Sequence, residues 1–243
     1  MEITPARPSS SEGGARWELA VRTLAAIPGN RETSAPASLS RDALIAARRL
    51  VEELNPDACL ELGSGQSTVE IARAHPRRFV SLDHSRRYLD ATREQLEASG
   101  LEHRVELREA PIRWCRRGDF AGRSYDPAAI DGVFEVVLID GPPARSVGRL
   151  MTLPVVWPHL AVGGVALLDD AKRRRLEARC LSAWEAGFGR AVRIARFDQF
   201  AKGLALIQKL EDTPVGTARA GWLASALEAA WTLQWRLRHR RPH

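Results

Sequence analysis

Ala58-Cys-Leu-Glu-Leu-Gly-Ser-Gly-Gln-Ser-Thr68 is the stretch of this sequence that decides its fold. Its apolar first half, through Leu62, is typical of a short buried strand, and an apolar helical pattern begins at Val69. A strand, a tight glycine turn and a helix N-terminus form a site for a nucleotide-like ligand. Glycines let the backbone approach the ligand, and the free N–H groups of the first helical turn face it. The third glycine of the dinucleotide fingerprint is absent, since Thr68 occupies its position.

Strands and helices alternate along the rest of the chain. The predicted strands are residues 58–62, 79–82, 104–107, 134–139, 165–168, 192–197 and 203–208. The predicted helices are residues 16–27, 41–54, 67–74, 88–98, 147–160, 171–186 and 218–237, and residues 112–132 are predicted to be irregular. Repeated strand–helix units predict an α/β fold with a doubly wound, mostly parallel sheet, and the last two strands are close enough to pair as an antiparallel hairpin.

The length of 243 residues suits one large domain with a substantial core. We expect an N-terminal segment at residues 1–39, with residues 1–14 disordered and residues 31–38 a polar linker. A central domain is predicted at residues 40–210, followed by a C-terminal helix and basic tail at residues 211–243. No run of about 20 apolar residues and no signal-peptide pattern occurs, so the expected location is the cytoplasm. The three cysteines are interpreted as free thiols.

The net charge of +6 raises the question of a nucleic-acid partner. We do not favour one, because nearly all the basic residues are arginines spread along the chain. The clusters at residues 172–175 and at Arg236, Arg238, Arg240 and Arg241 are interpreted as solvated helix faces. The Trp-rich helix at residues 218–237 is predicted to be amphipathic and to pack on the domain or across a homodimer, with an anionic membrane surface as the less favoured alternative.

Acidic residues recur where the predicted strands end, namely at Asp83, Glu109, Asp140, Asp169 and Asp170. Acidic residues at the carboxyl ends of four strands of a doubly wound sheet would all face the same crevice. Asp83 lies twenty positions after Gly63, the interval at which an acid after the second strand reaches ribose hydroxyls. The sequence therefore predicts a ligand that contains a ribose.

These motifs together resemble the class I S-adenosylmethionine-dependent methyltransferases. The resemblance rests on Glu61-Leu-Gly-Ser-Gly65, Asp83, Glu109-Ala110, Ile139-Asp140 and Gly163-Gly-Val-Ala-Leu-Leu-Asp169, in this order. It implies a Rossmann-like, seven-stranded sheet whose last strand is antiparallel, and S-adenosylmethionine as cofactor with S-adenosylhomocysteine as product. The residues that it assigns to the cofactor are Glu61, Gly63, Ser64 and Gly65 for the methionine part, Asp83 and His84 at the ribose, Glu109 and Ala110 at the adenine, and Asp140.

Within that family, Asp140 and the pair Asp169-Asp170 resemble the magnesium ligands of the catechol-type O-methyltransferases. This resemblance implies Asp140 as the catalytic residue, and Mg²⁺ or another divalent cation at the three acids. A hard cation of this kind would bind an acceptor oxygen and lower its pKa. The chain departs from that group where Asp170 replaces asparagine and Pro143 lies in place of a lysine base. Asp-Gly-Pro-Pro followed by Leu-Asp-Asp also bears a looser likeness to a group in which sugar O-methyltransferases occur.

Two other functions remain open on the sequence alone. Asp140-Gly-Pro-Pro143 is a distorted form of the Asp-Pro-Pro-aromatic motif of methyltransferases that act on nucleic-acid bases, with Ala144 in place of the aromatic residue. A nicotinamide-linked oxidoreductase would use a similar fold, but it would require the missing third glycine. We therefore predict a small-molecule acceptor that is methylated on oxygen, and the sequence carries no code for its identity.

Overall fold

The computed structural model describes residues 10–29, 39–173, 177–214 and 219–238. Its α-helices are α1 (Ser10–Ala26), α2 (Arg41–Leu54), α3 (Gln66–Arg73), α4 (Arg86–Ala98), α5 (Thr152–Val156), α6 (Glu177–Phe188) and α7 (Arg219–Arg238). Its strands are β1 (Ala58–Leu62), β2 (Arg78–Asp83), β3 (Glu106–Glu109), β4 (Ile112–Arg117), β5 (Phe120–Tyr125), β6 (Phe134–Ile139), β7 (Leu160–Asp169), β8 (Val192–Phe197) and β9 (Leu204–Lys209).

The main sheet has seven strands in the order β3-β2-β1-β6-β7-β9-β8. The pairs from β3 through β7 are parallel, and β9 runs antiparallel to both β7 and β8. The predicted doubly wound sheet with a reversed last strand is therefore confirmed. No helix among the described residues is long and apolar enough to span a membrane.

The sheet changes its winding direction between β1 and β6, which is where ligands bind in open α/β sheets. The backbones that leave the two strands touch at this point. Gly63 adopts a φ of +99°, and a Cβ atom there would lie 2.9 Å from the backbone nitrogen of Gly141. Asp140 and Gly141 both donate backbone N–H bonds to the carbonyl of Leu62, with N···O distances of 3.0 and 2.6 Å. Glycine is required at position 63 both for its φ and for this close approach.

Alternate residues of the strands face two separate cores, as expected for a sheet covered on both faces. Leu60 and Leu62 belong to the core that contains Trp157 and Trp184. Cys59 belongs to the other core, which lies under the N-terminal helices. Trp17, Ala20 and Leu24 of α1 are buried in that second core, so the N-terminal helix packs on the same body as the sheet.

The prediction that residues 112–132 are irregular is wrong for most of this stretch. β4 and β5 form a two-stranded antiparallel hairpin whose turn is Gly118-Asp119, with Gly118 at a φ of +54°. Glycine in a two-residue loop is a known hairpin signal. The signal was masked because arginines at positions 113, 116 and 117 dilute the apolar alternation on which strand prediction depends.

The predicted helix at residues 147–160 is also wrong. Only α5 and a 3₁₀ turn at Trp157–His159 are helical there, and β7 begins already at Leu160. Gly148 has a φ of +96°, which ends any helical course at that position. Pro154 and Pro158 further limit the helical hydrogen bonds that this segment can make.

Two predicted helix starts differ from the structure. α1 begins at Ser10, inside the stretch predicted to be disordered, whereas residues 1–9 and the whole predicted linker at 31–38 lie outside the described residues. α6 begins at Glu177 and not at Ala171, because Ala171 and Lys172 donate backbone bonds to the carbonyls of Gly203 and Lys202. Residues 174–176, and Arg240 with Arg241, also lie outside the described part of the chain.

Candidate active site

A cavity of about 700 Å³ opens at the carboxyl ends of β1, β2 and β6. Gly63, Ser64, Asp83, His84 and Asp140, all predicted from the sequence, line this cavity. The cavity is also lined by Tyr88, Tyr125, Gly141, Pro143, Ala144, Arg145, Ser146, Arg149, Asp170, Lys172, Arg173, Lys202 and Trp235. Its position at the switch point of the sheet, and its size, suit a small-molecule ligand.

Asp83 ties the glycine turn to the start of α4. Its Oδ2 accepts a hydrogen bond from the backbone N–H of Ser64 at 3.1 Å, and its Oδ1 accepts one from Ser85 N at 2.8 Å. The Nδ1 atom of His84 lies 3.2 Å from the same Oδ1. Asp83 is only 4 % exposed, yet it lines the cavity. The carboxylate is thus fixed in place by neutral donors while it faces the site.

Glu61 lies beneath the glycine turn and does not line the cavity. It is fully buried, and its Oε2 accepts hydrogen bonds from Thr68 Oγ1 and Ser81 Oγ at 2.5 and 2.6 Å. Thr68 Oγ1 also accepts from the backbone N–H of Gly65 at 2.9 Å. Burial raises the pKa of Glu61 to about 7, although hydrogen bonds from serine and threonine hydroxyls oppose this shift. Thr68, at the position of the missing third glycine, therefore fixes both the turn and the buried acid.

Glu109 and Ala110 follow β3 but do not line the cavity. Glu109 is exposed, 3.9 Å from Arg86 Nη1, and the backbone of Ala110 donates to the carbonyl of Asp83 at 2.8 Å. Tyr88 and Tyr125 do line the cavity, and sequence reasoning did not assign either to the site. Tyr88 could have been found from its place in the first turn of the helix that follows Asp83.

Asp140, Asp169 and Asp170 come together at the ends of β6 and β7. One carboxylate oxygen from each lies within 4.8 Å of those of the other two. Among the described residues, neither carboxylate oxygen of Asp169 has a hydrogen-bond partner, and its side chain is almost fully buried. Burial, followed by the charge of Asp170, raises the pKa of Asp169 to about 6. Burial also raises the pKa of Asp140 well above its ordinary value, against the opposing charge of Arg149.

Arg149 is the main counter-charge of this cluster, and the sequence analysis did not find it. The guanidinium is 5 % exposed and lies 3.4 Å from Asp140 Oδ1 and 3.6 Å from Asp170 Oδ2. It also donates to the carbonyl of Pro142 at 3.1 Å and to that of Asp169 at 3.3 Å. Arg149 thereby joins the segments that follow β6 and β7. Arg149 extends into the site from the loop between β6 and α5, so no fixed spacing in the sequence predicts its position there.

Glu177 adds a fourth buried carboxylate that the sequence did not reveal. Its Oε1 lies 3.4 Å from both Arg149 Nη1 and Arg173 Nη1, and burial raises its pKa to about 7. Arg173 also pairs with Asp170 at 2.9 Å. Asp170 adopts a φ of +65°, a left-handed conformation that aspartate and asparagine tolerate better than most residues. Three of the four carboxylates therefore pair with Arg149 or Arg173, and Asp169 pairs with neither.

The C-terminal helix reaches this cluster through Glu228. One carboxylate oxygen of Glu228 accepts hydrogen bonds from the backbone N–H groups of Arg149 and Leu150, both at 2.8 Å. The same carboxyl lies against Gly148, where it occupies the space that a side chain would need. Burial raises the pKa of Glu228 to about 7, despite these two hydrogen bonds. Glu228 thus fixes the backbone from which Arg149 extends into the site.

Comparison with known proteins agrees with this geometry. Residues 60–171 match a family model described as a methyltransferase domain. The matched region runs from β1 to just after β7, so it includes the glycine turn, Asp83 and the three clustered aspartates. None of the curated protein sequences matches the chain.

Several solved structures share the fold at low sequence identity. An O-methyltransferase from Bacillus cereus in complex with S-adenosylhomocysteine is 16 % identical, with a TM-score of 0.55 over 83 % of this chain and 92 % of that one. The Podospora anserina methyltransferase PaMTH1, also bound to S-adenosylhomocysteine, is 18 % identical, with a TM-score of 0.57 over 86 % and 91 %. The O-methyltransferase TomG from Streptomyces achromogenes, in complex with S-adenosylmethionine, is 13 % identical, with a TM-score of 0.54 over 85 % and 93 %. Residues 60–171 therefore match a methyltransferase domain, and the chain shares its fold with these S-adenosylmethionine- and S-adenosylhomocysteine-bound methyltransferases.

Proposed function

We propose that this methyltransferase transfers the methyl group to an oxygen atom of a small-molecule acceptor, with a divalent cation at Asp140, Asp169 and Asp170. The observation that carries the proposal is the convergence of the three carboxylates within 4.8 Å beside the cavity. The structural neighbours named above include two O-methyltransferases, and this supports oxygen as the acceptor atom.

The cofactor would occupy the β1–β2 side of the cavity. Gly63 and Ser64 form the turn that would face its methionine part, and Asp83 would accept hydrogen bonds from ribose hydroxyls. His84 and Tyr88 line the same side of the cavity and would border the rest of the nucleoside. The other residues that the sequence assigned to the cofactor would act indirectly, because they support the β1–β2 side of the cavity without lining it. They are Glu61, Gly65, Glu109 and Ala110.

A divalent cation fits the residues at the ends of β6 and β7. Carboxylate oxygens are the ligands that hard cations such as Mg²⁺ prefer. Asp140, Asp170 and Glu177 form ion pairs with Arg149 or Arg173, whereas both carboxylate oxygens of Asp169 lack a hydrogen-bond partner among the described residues. A dication would supply that partner to the buried carboxylate of Asp169, which is costly to leave unsatisfied.

The residues of the chain contribute position, exclusion of water and a proton acceptor. Methyl transfer is an in-line displacement, so the walls of the cavity must align the acceptor oxygen with the methyl group. Asp140 lines the cavity next to Gly63 and would accept the proton of the acceptor hydroxyl. When bound, the cation would lower the pKa of the acceptor hydroxyl.

Calorimetric titration with S-adenosylhomocysteine and with MgCl₂ separates the two parts of this proposal. We expect the wild type to bind both. Asp169→Asn should lose Mg²⁺ binding and keep S-adenosylhomocysteine binding, since Asp169 lies in the cation cluster and does not line the cavity. Glu94→Gln, an exposed acid on α4, is the matched control and should bind both ligands like the wild type.

Two results would contradict the proposal in different ways. Failure of the wild type to bind S-adenosylhomocysteine would contradict the cofactor assignment. Binding of S-adenosylhomocysteine without any Mg²⁺-dependent heat, combined with full methylation of a catechol or sugar acceptor in EDTA, would eliminate the cation and leave Asp140 and Arg149 to act alone.

A further inference from the structure

Helices that pack on a domain usually turn their large apolar side chains inward, but most of those of α7 point outward. Its buried positions are the small or polar residues Gly221, Ser225 and Thr232. Ser225 Oγ accepts a hydrogen bond from the backbone of Ala121 at 2.9 Å, and Glu228 accepts the two backbone bonds described above. Polar contacts therefore attach α7 to β5 and to the loop before α5, where apolar packing was predicted from the sequence.

Five of the seven large apolar residues of α7 face solvent, whereas Trp231 and Trp235 are half-buried. Trp222 is 69 % exposed and Leu227 is 45 % exposed, and the other members of this set are Leu223, Leu233 and Leu237. Together with the exposed Ala226 and Ala230, they cover about 140° of the circumference of the helix over about four turns. A continuous apolar surface of this kind usually marks an interaction site. We call it the outer face of α7.

The charges around the outer face have one sign. Glu228 is the only acidic residue of α7, and it points into the domain. Arg238 is exposed at the end of the helix, and Arg236 lies close to Arg123 of β5. Burial, and then the like charge of Arg123, lowers the pKa of Arg236. Within the described residues, none of these three arginines forms an ion pair with an acid.

This combination favours a lipid surface over a second copy of the chain. The outer face offers exposed Trp and Leu side chains beside arginines, the two kinds of group that a helix uses to bind the surface of an anionic bilayer. A second copy that packed against the outer face would place apolar surface on apolar surface, but α7 offers no exposed acid to pair with the arginines. Phosphate groups of lipids would supply that negative charge.

We propose that α7 binds the surface of an anionic lipid bilayer, with its outer face in the acyl boundary and its arginines among the headgroups. Trp235, which lines the cavity, lies on the side of α7 away from the outer face, so it would not insert into the bilayer in this orientation. The proposal stands apart from the proposed oxygen acceptor and cation, because it rests on α7 alone.

Flotation with vesicles tests the proposal without any enzymatic assay. We expect the full chain to float with vesicles that contain phosphatidylglycerol and to float poorly with pure phosphatidylcholine. Leu223→Gln with Leu227→Gln should reduce the partition at least about ten-fold, since each buried methylene contributes about 0.8 kcal/mol. Arg236→Gln with Arg238→Gln should reduce both the partition and its dependence on salt.

The matched control is Ile45→Gln with Val133→Gln, which replaces exposed apolar residues elsewhere and should leave the partition unchanged. Each variant is checked for S-adenosylhomocysteine binding, which shows that it is folded. Equal flotation with both types of vesicle, or flotation unaffected by the Leu223 and Leu227 changes, would overturn the proposal. A stable dimer in sedimentation that those two changes dissociate, with no flotation, would assign the outer face to a second copy.

Discussion

The two sides of the cavity bury carboxylates in different ways. On the β1–β2 side, Asp83 receives its hydrogen bonds from backbone N–H groups at positions 64 and 85, which lie near it in the sequence. On the β6–β7 side, Asp140 pairs with the buried guanidinium of Arg149, and Asp170 pairs with both Arg149 and Arg173. Neutral donors stabilise the first side, and charge stabilises the second.

This difference predicts how each side responds to its surroundings. Backbone N–H groups do not titrate, so the two hydrogen bonds from Ser64 N and Ser85 N to Asp83 keep their donors at any pH. A cluster of buried charges in a low dielectric is costly unless every charge is paired. We therefore expect the β6–β7 side to be the part of the site that is sensitive to substitution, pH and divalent cations.

The largest expected effect is the loss of stability when Arg149 is removed from the β6–β7 side. Arg149→Met leaves Asp140, Asp170 and Glu177 without their main counter-charge, so we expect the free energy of unfolding to fall by about 3–5 kcal/mol. Urea denaturation measures this loss. If the proposed cation site exists, Mg²⁺ should restore part of the stability of the variant.

Arg190→Met is the matched control, since Arg190 is 88 % exposed in its pair with Glu211. Exposed pairs contribute little, and the control should change stability by less than about 1 kcal/mol. A loss for Arg149→Met no larger than that of the control would show that the cluster does not depend on the buried arginine.

The next largest expected effect is the pH dependence that Glu228 gives to the unfolding free energy. Its pKa is raised from 4.5 to about 7 in the folded protein, so the folded state binds this proton more tightly than the unfolded chain does. The unfolding free energy of the wild type, relative to Glu228→Gln, should therefore fall as the pH rises from about 4.5 to above 7. The total fall should be about 3 kcal/mol, at about 1.4 kcal/mol per tenfold difference in proton affinity.

Urea denaturation of both proteins at several pH values measures this difference. Glu94→Gln serves again as the reference for loss of an exposed acid, and its difference from the wild type should not follow this pH course. A constant difference between the wild type and Glu228→Gln from pH 4.5 to 8 would contradict the raised pKa of Glu228.

The smallest effect is expected on the β1–β2 side. Asp83→Ala removes a buried hydrogen-bond acceptor for the proposed ribose, which should weaken binding of S-adenosylhomocysteine by about 1–3 kcal/mol. Calorimetry measures the change, with Asp90→Ala on the exposed face of α4 as the control. Unchanged affinity in Asp83→Ala would remove the ribose assignment, and lost Mg²⁺ binding in the same variant would show that the two sides are not independent.

The sequence predicted the β1–β2 side better than the β6–β7 side for a physical reason. The glycine turn and the acid that follows the second strand have a fixed spacing, because one βαβ unit sets the distance between them. Gly63, Ser64 and Asp83 could therefore be found by position, and all three line the cavity. Asp140, Asp169 and Asp170 were found in the same way, since they directly follow strands.

The counter-charges were missed because they carry no such spacing. Arg149 lies in a loop that was predicted to be helical, Glu177 is the first residue of a helix predicted to begin earlier, and Glu228 arrives from the last helix. Each reaches the site through tertiary packing that one sequence does not encode in a local pattern. The same holds for α7, whose apolar residues correctly predicted a helix but not the face that it presents to the domain.

The position of β9 in the sheet has a consequence for the synthesis of this protein. β8 is made before β9, but it can join the sheet only through β9, which separates it from β7. Until residue 209 has left the ribosome, the nascent chain must carry β7 with an unpaired edge and β8 with no strand to pair with. Unpaired edges invite association with other chains. We therefore expect stalled or truncated chains that end before β9 to aggregate, and to depend on chaperones, far more than the finished protein does.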